Sequence, residues 1–214
     1  MALLGWWNRN MGIGIYRASV LGDKKAMSKP GYEGRIFGYH PSSCRVSLFF
    51  FAYQSKNMID TIAWNDGPEF IFHHALSMMV SGGSIYPGLA VYYGSFFLGL
   101  SEISTAVLCI LANFDPKHGV IGLGDSFPLV KIVSGAIFMV SFIVCRCIMW
   151  PVASYYFVRD CRWALDGNSP SLEGRRTIIK AFMFCLSGLS VLQILWLGQI
   201  FVVASEELKS MGLI

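Results

Sequence analysis

The chain has 214 residues, of which 54% are hydrophobic, 14% aromatic and only 14% charged, and its mean hydropathy is +0.53. So apolar a composition excludes a chain folded around one soluble core and predicts a membrane protein. The net charge of +4 is modest and its basic residues border apolar segments, which excludes nucleic-acid binding as their purpose. The six cysteines, Cys44, Cys109, Cys145, Cys147, Cys161 and Cys185, lie mostly inside apolar segments and lack CxxC or Cys/His spacing. Neither a zinc site nor a disulfide framework is therefore expected, nor any other metal. The predicted fold class is all-α, a multi-pass transmembrane helical bundle of about five spans.

Residues 1–45 carry Arg9, Arg17, Lys24, Lys25, Lys29, Arg35 and Arg45 against Asp23 and Glu33, with no apolar run of spanning length. They read as a basic arm, interfacial or extramembrane, with Trp6 and Trp7 at headgroup depth; an organelle-targeting arm is the rival reading. Residues 46–204 are the membrane domain and 205–214 a short polar tail.

The first span is predicted over 46–64, with Lys56 and Asp60 four apart on one helical face. Asn65-Asp66-Gly67-Pro68 ends it. The second span, 69–86, carries His73 and His74, and the third, 89–112, carries Glu102; Pro87-Gly88 between them predicts a tight antiparallel hairpin. His74 precedes Pro87 by 13 positions and Glu102 follows Gly88 by 14. At a rise of about 1.5 Å per residue the two fall at nearly equal depth, with Asp60 expected nearby. Adjacent histidines point about 100° apart on a helix, so one of the pair at most shares a partner with Glu102. Ser95, Leu98, Glu102 and Thr105 form a mildly polar stripe on the third helix. The stretch 113–127, with His118, reads as a loop outside the bilayer core; its glycines do not make a nucleotide fingerprint. The fourth span, 128–158, holds Arg146 near its middle, and the fifth, 178–204, follows a polar basic loop.

Ionisable side chains inside such spans are expensive, and each is a functional hypothesis. Residues 1–45 and 159–180 share one side of a five-span bundle and carry twelve of the 17 Lys and Arg. That side is predicted to face the cytosol or the equivalent compartment of an organelle.

The paired His73-His74, the block Leu100-Ser-Glu102-Ile-Ser-Thr105 one helix later, the upstream Asp60 and the intramembrane Arg146 together resemble the TLC domain of the TRAM, Lag1 and CLN8 group, over roughly residues 45–204. Ceramide synthases of that group carry a paired His followed by two Asp residues and transfer an acyl group from acyl-CoA. This chain has Ser101-Glu102 where the first Asp is expected and Thr105 near the second, so the resemblance is to the non-synthase branch. It implies lipid binding or an influence on membrane lipid composition, in the endoplasmic reticulum or another endomembrane, with a mitochondrial or plastid membrane as the alternative location. The five spans are also fewer than the six or more usual in the group.

Two further readings follow from the same residues. In an acyltransferase, His73 or His74 would act as general base with Glu102 fixing its tautomer, acyl-CoA would be co-substrate, and Arg146 would hold a phosphate. In an accessory structural subunit of an organellar membrane complex, the same groups would be a buried hydrogen-bond knot and other membrane subunits the partners. The candidate catalytic residues are His73, His74 and Glu102; the candidate lipid-binding residues are Asp60, Ser77, Ser101, Thr105 and Arg146. Membrane lipids are the expected partners, no resident cofactor is expected, and the enzyme question leans to no.

Overall fold

Proline opens most of the long helices, because its missing N–H costs nothing at a helix start, and residues that tolerate left-handed backbone close or separate them. In the computed structural model, which describes residues 3, 10–23, 25–115, 119–167 and 170–210, helix α3 (Pro41–Trp64) starts at Pro41 and is closed by Asn65 at φ 54°. Gly67, at φ 128°, then turns the chain into α4 (Pro68–Ile85). Before these come α1 (Asn10–Ser19) and the short α2 (Tyr32–Ile36). After them come α5 (Val91–Phe97), α6 (Ile103–Leu111), the four-residue α7 (Leu123–Ser126), α8 (Pro128–Phe142), α9 (Trp150–Asp166) and α10 (Arg176–Ser210). No strand occurs among the described residues, so the chain is all-α as predicted. Trp6, Trp7, Arg9, Lys24 and His118 lie outside the described residues.

The predicted third span is not one continuous helix. It breaks after α5 at Leu98-Gly99 and resumes through a single tight 3₁₀ turn, Leu100–Glu102, before α6. The freed carbonyls are taken up locally: the Ser101 hydroxyl donates to the Phe97 carbonyl at 2.7 Å, and the Ser104 hydroxyl to the Ser101 carbonyl at 3.1 Å. Serines doing this is what allows a broken helix at membrane depth. The fourth span is irregular too. Between α8 and α9 the helix widens into a π segment, Ile143–Met149. Pro151 supplies the reason, since it offers no N–H to the Cys147 carbonyl and its ring crowds that turn.

Three stretches are long and apolar enough to cross a membrane among the described residues: Val91–Phe114, Pro128–Asp166 and Arg176–Lys209. The expected count of five is thus not met by length and composition. Helices α3 and α4, 24 and 18 residues long, are long enough. Arg45, Gln54, Lys56 and Asp60 in the first, and Glu69, His73 and His74 in the second, make them too polar. Their outer faces remain apolar, with Leu48, Phe49, Ile59, Ile62, Phe72 and Met79 exposed. Such an apolar exterior, found also at Leu129, Val133, Ile137 and Val140 of α8, suits lipid and not water. The protein is an integral membrane protein.

Helix α3 packs along α4 and α5, α4 along α10, and α6 along α8. One core joins Phe50, Leu76, Tyr93, Phe96, Trp150, Phe157, Phe182 and Leu186. The basic arm is part of this packing, for Met11, Met27 and Ile36 are buried in the same core. Its anchor is Arg35, which donates to both oxygens of the fully buried Asp160, at 2.5 and 2.9 Å. The Tyr93 hydroxyl donates to the same carboxylate at 2.6 Å. Burial works against the charge of Arg35, but the bonds and the charge of Asp160 outweigh it, and the guanidinium's pKa is raised. The sequence predicts Asp160 in the polar loop that follows the fourth span, whereas α9 continues to Asp166 and holds it inside the bundle.

Candidate functional site

The two irregular segments meet. The break after α5 presents Glu102 and the π segment presents Arg146, whose terminal nitrogen donates to Glu102 Oε1 at 2.7 Å. Both side chains are 6% exposed. The same guanidinium reaches the Thr105 hydroxyl at 3.2 Å and the Ser104 hydroxyl at 3.4 Å. One helical turn on, the Trp150 ring lies 5.6 Å from the guanidinium carbon, within cation–π range. Trp150 is itself fixed by its indole N–H, which donates to the Ser190 hydroxyl of α10 at 3.0 Å.

A narrow cavity of about 40 Å³ adjoins this pair. Its lining includes His73, Ser77, Glu102 and Arg146 on the polar side, with Phe97, Phe157 and Phe182 among the aromatic walls. Ligand pockets for drug-sized molecules usually measure about 300–1,000 Å³. This one holds a water or a single small polar group, and an acyl chain does not fit inside it as it stands.

The hairpin ruler placed the imidazoles and the carboxylate at one level, and the cavity brings one of each together. It is His73, however, and not His74, that shares the space with Glu102. His74 points the other way and donates from Nδ1 to Gln54 Oε1 of α3, at 2.5 Å. The ruler fixes depth but not azimuth, and the break at Leu98-Gly99 rotates Glu102 relative to an unbroken helix. Gln54 was missed; it is the uncharged polar residue just after the apolar run Leu48–Tyr53, and its burial against α4 was the available signal.

Of the other candidates, Ser77 lines the cavity and Thr105 accepts from Arg146. Ser101 is fully buried and spends its hydroxyl on the helix break. Asp60 is not at the site; it pairs with Lys56 on the outer part of α3. The expected approach of Asp60 to the histidines fails because the Lys56 ammonium, one turn away, satisfies it locally. Among the described residues no cluster of His, Cys, Asp and Glu could hold a metal ion.

A helical membrane bundle with a buried Glu–Arg pair, a paired His and a broken helix between them defines the class. Residues 11–202 match the TLC domain family of the TRAM, Lag1 and CLN8 group, and the chain belongs to that family. The match begins well before residue 45, in keeping with the packing of the arm into the core. Neither curated proteins nor solved structures yield a match to the chain. Membership implies a lipid-related function in a membrane.

Proposed function

We propose that the protein binds a membrane lipid or influences membrane lipid composition, without acyl transfer, and that it acts in the endoplasmic reticulum or another endomembrane. The observation that carries the reading is the allegiance of Glu102. A general-base histidine needs a carboxylate to orient and stabilise it, and Glu102 is bound to Arg146 instead. Among the described residues neither histidine is hydrogen-bonded to an acid: His74 bonds to the Gln54 amide, the Asp66 charge acting on it without a hydrogen bond, and His73 Nδ1 has no hydrogen-bond partner. Arg146, engaged by Glu102, Ser104 and Thr105, is poorly placed to hold a CoA phosphate. The size of the cavity argues in the same direction, because it admits the polar end of a lipid while the acyl chains stay in the bilayer.

The test is to purify the protein in mild detergent and identify retained lipid by native mass spectrometry, alongside an acyl-transfer assay with oleoyl-CoA and lysolipid or long-chain amine acceptors. Bound lipid in wild type and no turnover above that of His73→Ala are expected. Turnover that His73→Ala abolishes would refute the proposal and restore the acyltransferase reading.

A further inference from the structure

Three buried polar groups near His73 have no partner among the described residues: His73 Nδ1, both amide atoms of Gln193, and the indole N–H of Trp196. Gln193 is only 4% exposed. Buried polar groups are nearly always hydrogen-bonded, so several orphans in one neighbourhood point to an absent partner. The three belong to one neighbourhood. The Trp196 ring meets the His73 ring edge-on, with centroids 5.0 Å apart. Gln193 precedes Trp196 by three positions on α10, which stacks the two on one helical face. Three positions earlier again, Ser190 accepts from Trp150, a residue of the cavity wall.

Trp196 also reaches toward the outer surface. Its other neighbour is Phe70, stacked at a centroid distance of 6.0 Å and itself exposed on the outer surface of α4. The indole thus stands between the lipid-facing surface and the interior, with His73 behind it. Beyond the imidazole itself, the cluster contributes no ionisable group, and the nearby Arg146 is already neutralised by Glu102.

We infer that His73, Gln193 and Trp196 form a binding site for the uncharged polar group of a lipid, a carbonyl flanked by a hydroxyl or N–H, which enters between α4 and α10 past Phe70. The indole N–H and the Gln193 amide N–H would donate to the carbonyl, and Gln193 Oε1 would accept from the hydroxyl or N–H. Phosphate headgroups are disfavoured, since no free cation faces them here. This inference rests on the proposed lipid-binding function and names its ligand class.

The test reconstitutes the full chain in nanodiscs and titrates three probes: dioleoylglycerol, N-oleoylethanolamine and dioleoyl phosphatidic acid. Wild type should bind one or both uncharged probes more tightly than phosphatidic acid, and the tighter of the two reports whether the linkage is ester or amide. Gln193→Leu and Trp196→Phe should each weaken that binding about five- to tenfold, as for loss of one hydrogen bond. The melting temperature of the empty protein should stay the same or rise, because each variant removes an orphaned group. Unchanged affinity in both variants, or tighter binding of phosphatidic acid, overturns the site while leaving lipid binding intact. A lower melting temperature with unchanged affinity overturns it in favour of structural water. Failure of wild type to bind any of the three, with no lipid retained on purification, overturns the proposed function as well.

Discussion

The Glu102–Arg146 pair is a contact whose energetic signature can be worked from its geometry. Each side chain is 6% exposed and the bond is 2.7 Å long. Removing one partner leaves an uncompensated buried charge, at a cost of about 3–5 kcal/mol. Arg146→Met strips Glu102 of its one charged donor among the described residues, whereas Glu102→Gln keeps an acceptor of the same shape, and Ser104 and Thr105 still accept from Arg146. The first variant should therefore fall at the upper end of that range and the second at the lower. For a chain of this size about 1 kcal/mol corresponds to about 2–4 °C in Tm, so losses of about 6–20 °C are expected. The double variant should be less damaged than either single one, because no charge then remains unpaired. The assay is thermal unfolding in detergent at a fixed scan rate, followed by near-ultraviolet circular dichroism. Losses that simply add in the double variant, or a coupling below about 0.5 kcal/mol, would refute a direct buried pair.

The arm and the helix packing can be probed in the same way. Asp160→Asn removes the charge that holds Arg35, and should cost about 3–5 kcal/mol while making the segment around Met27 and Ser28 cleavable by limited proteolysis; an arm that stays protected would contradict the anchoring role. A Cβ at Gly188 would lie 2.7 Å from Leu76, and one at Gly83 2.5 Å from the buried Phe182 ring, so Gly188→Ala and Gly83→Ala should each lose about 1–3 kcal/mol in the unfolding assay. Gly135→Ala meets nothing within 4 Å and should be neutral or stabilising by up to about 1 kcal/mol. Lys56→Met breaks an exposed pair and should change stability by less than about 1 kcal/mol.

Much of this architecture was legible in the sequence, and the exceptions have physical causes. The Asn65–Pro68 turn, the end of α4 before Pro87-Gly88 and the shared level of His73 and Glu102 follow from turn chemistry and helical rise, which are local; the tight antiparallel pairing expected across Pro87-Gly88 does not form, because α4 lies along α3 and α10 instead. The choice between His73 and His74 depends on how α4 is rotated against α3. That rotation is set by Gln54 and by the close fit of Gly83 and Gly188 between α4 and α10, which a single sequence does not rank. The break at Leu98-Gly99 was hidden because Leu98–Thr105 has an acceptable helical pattern; only the run of Ser95, Ser101 and Ser104 hints at carbonyls needing donors. Asp160 was misplaced because it follows Arg159 in a stretch of polar residues, although its partner lies 125 positions away. Gln193 carries no charge and so does not stand out in the fifth span, yet an uncharged amide in mid-span is also costly unless bonded.

The irregular backbone and the polar site are one arrangement. Glu102 stands in the tight turn that follows the break at Leu98-Gly99, and Arg146 in the wider π segment. Each distortion alone costs backbone hydrogen bonds. Together they bring a carboxylate and a guanidinium into contact inside the membrane, where the alternative for either charge is worse. Because Arg146 claims Glu102, no carboxylate among the described residues bonds to His73, and its Nδ1 is left without a partner. On the proposed reading, the pairing that takes Glu102 out of proton-transfer chemistry is also the one that leaves His73 Nδ1 available to a lipid's polar group. A variant that restored a carboxylate to His73 at the expense of Arg146 would change the chemistry of the site without changing its position in the fold.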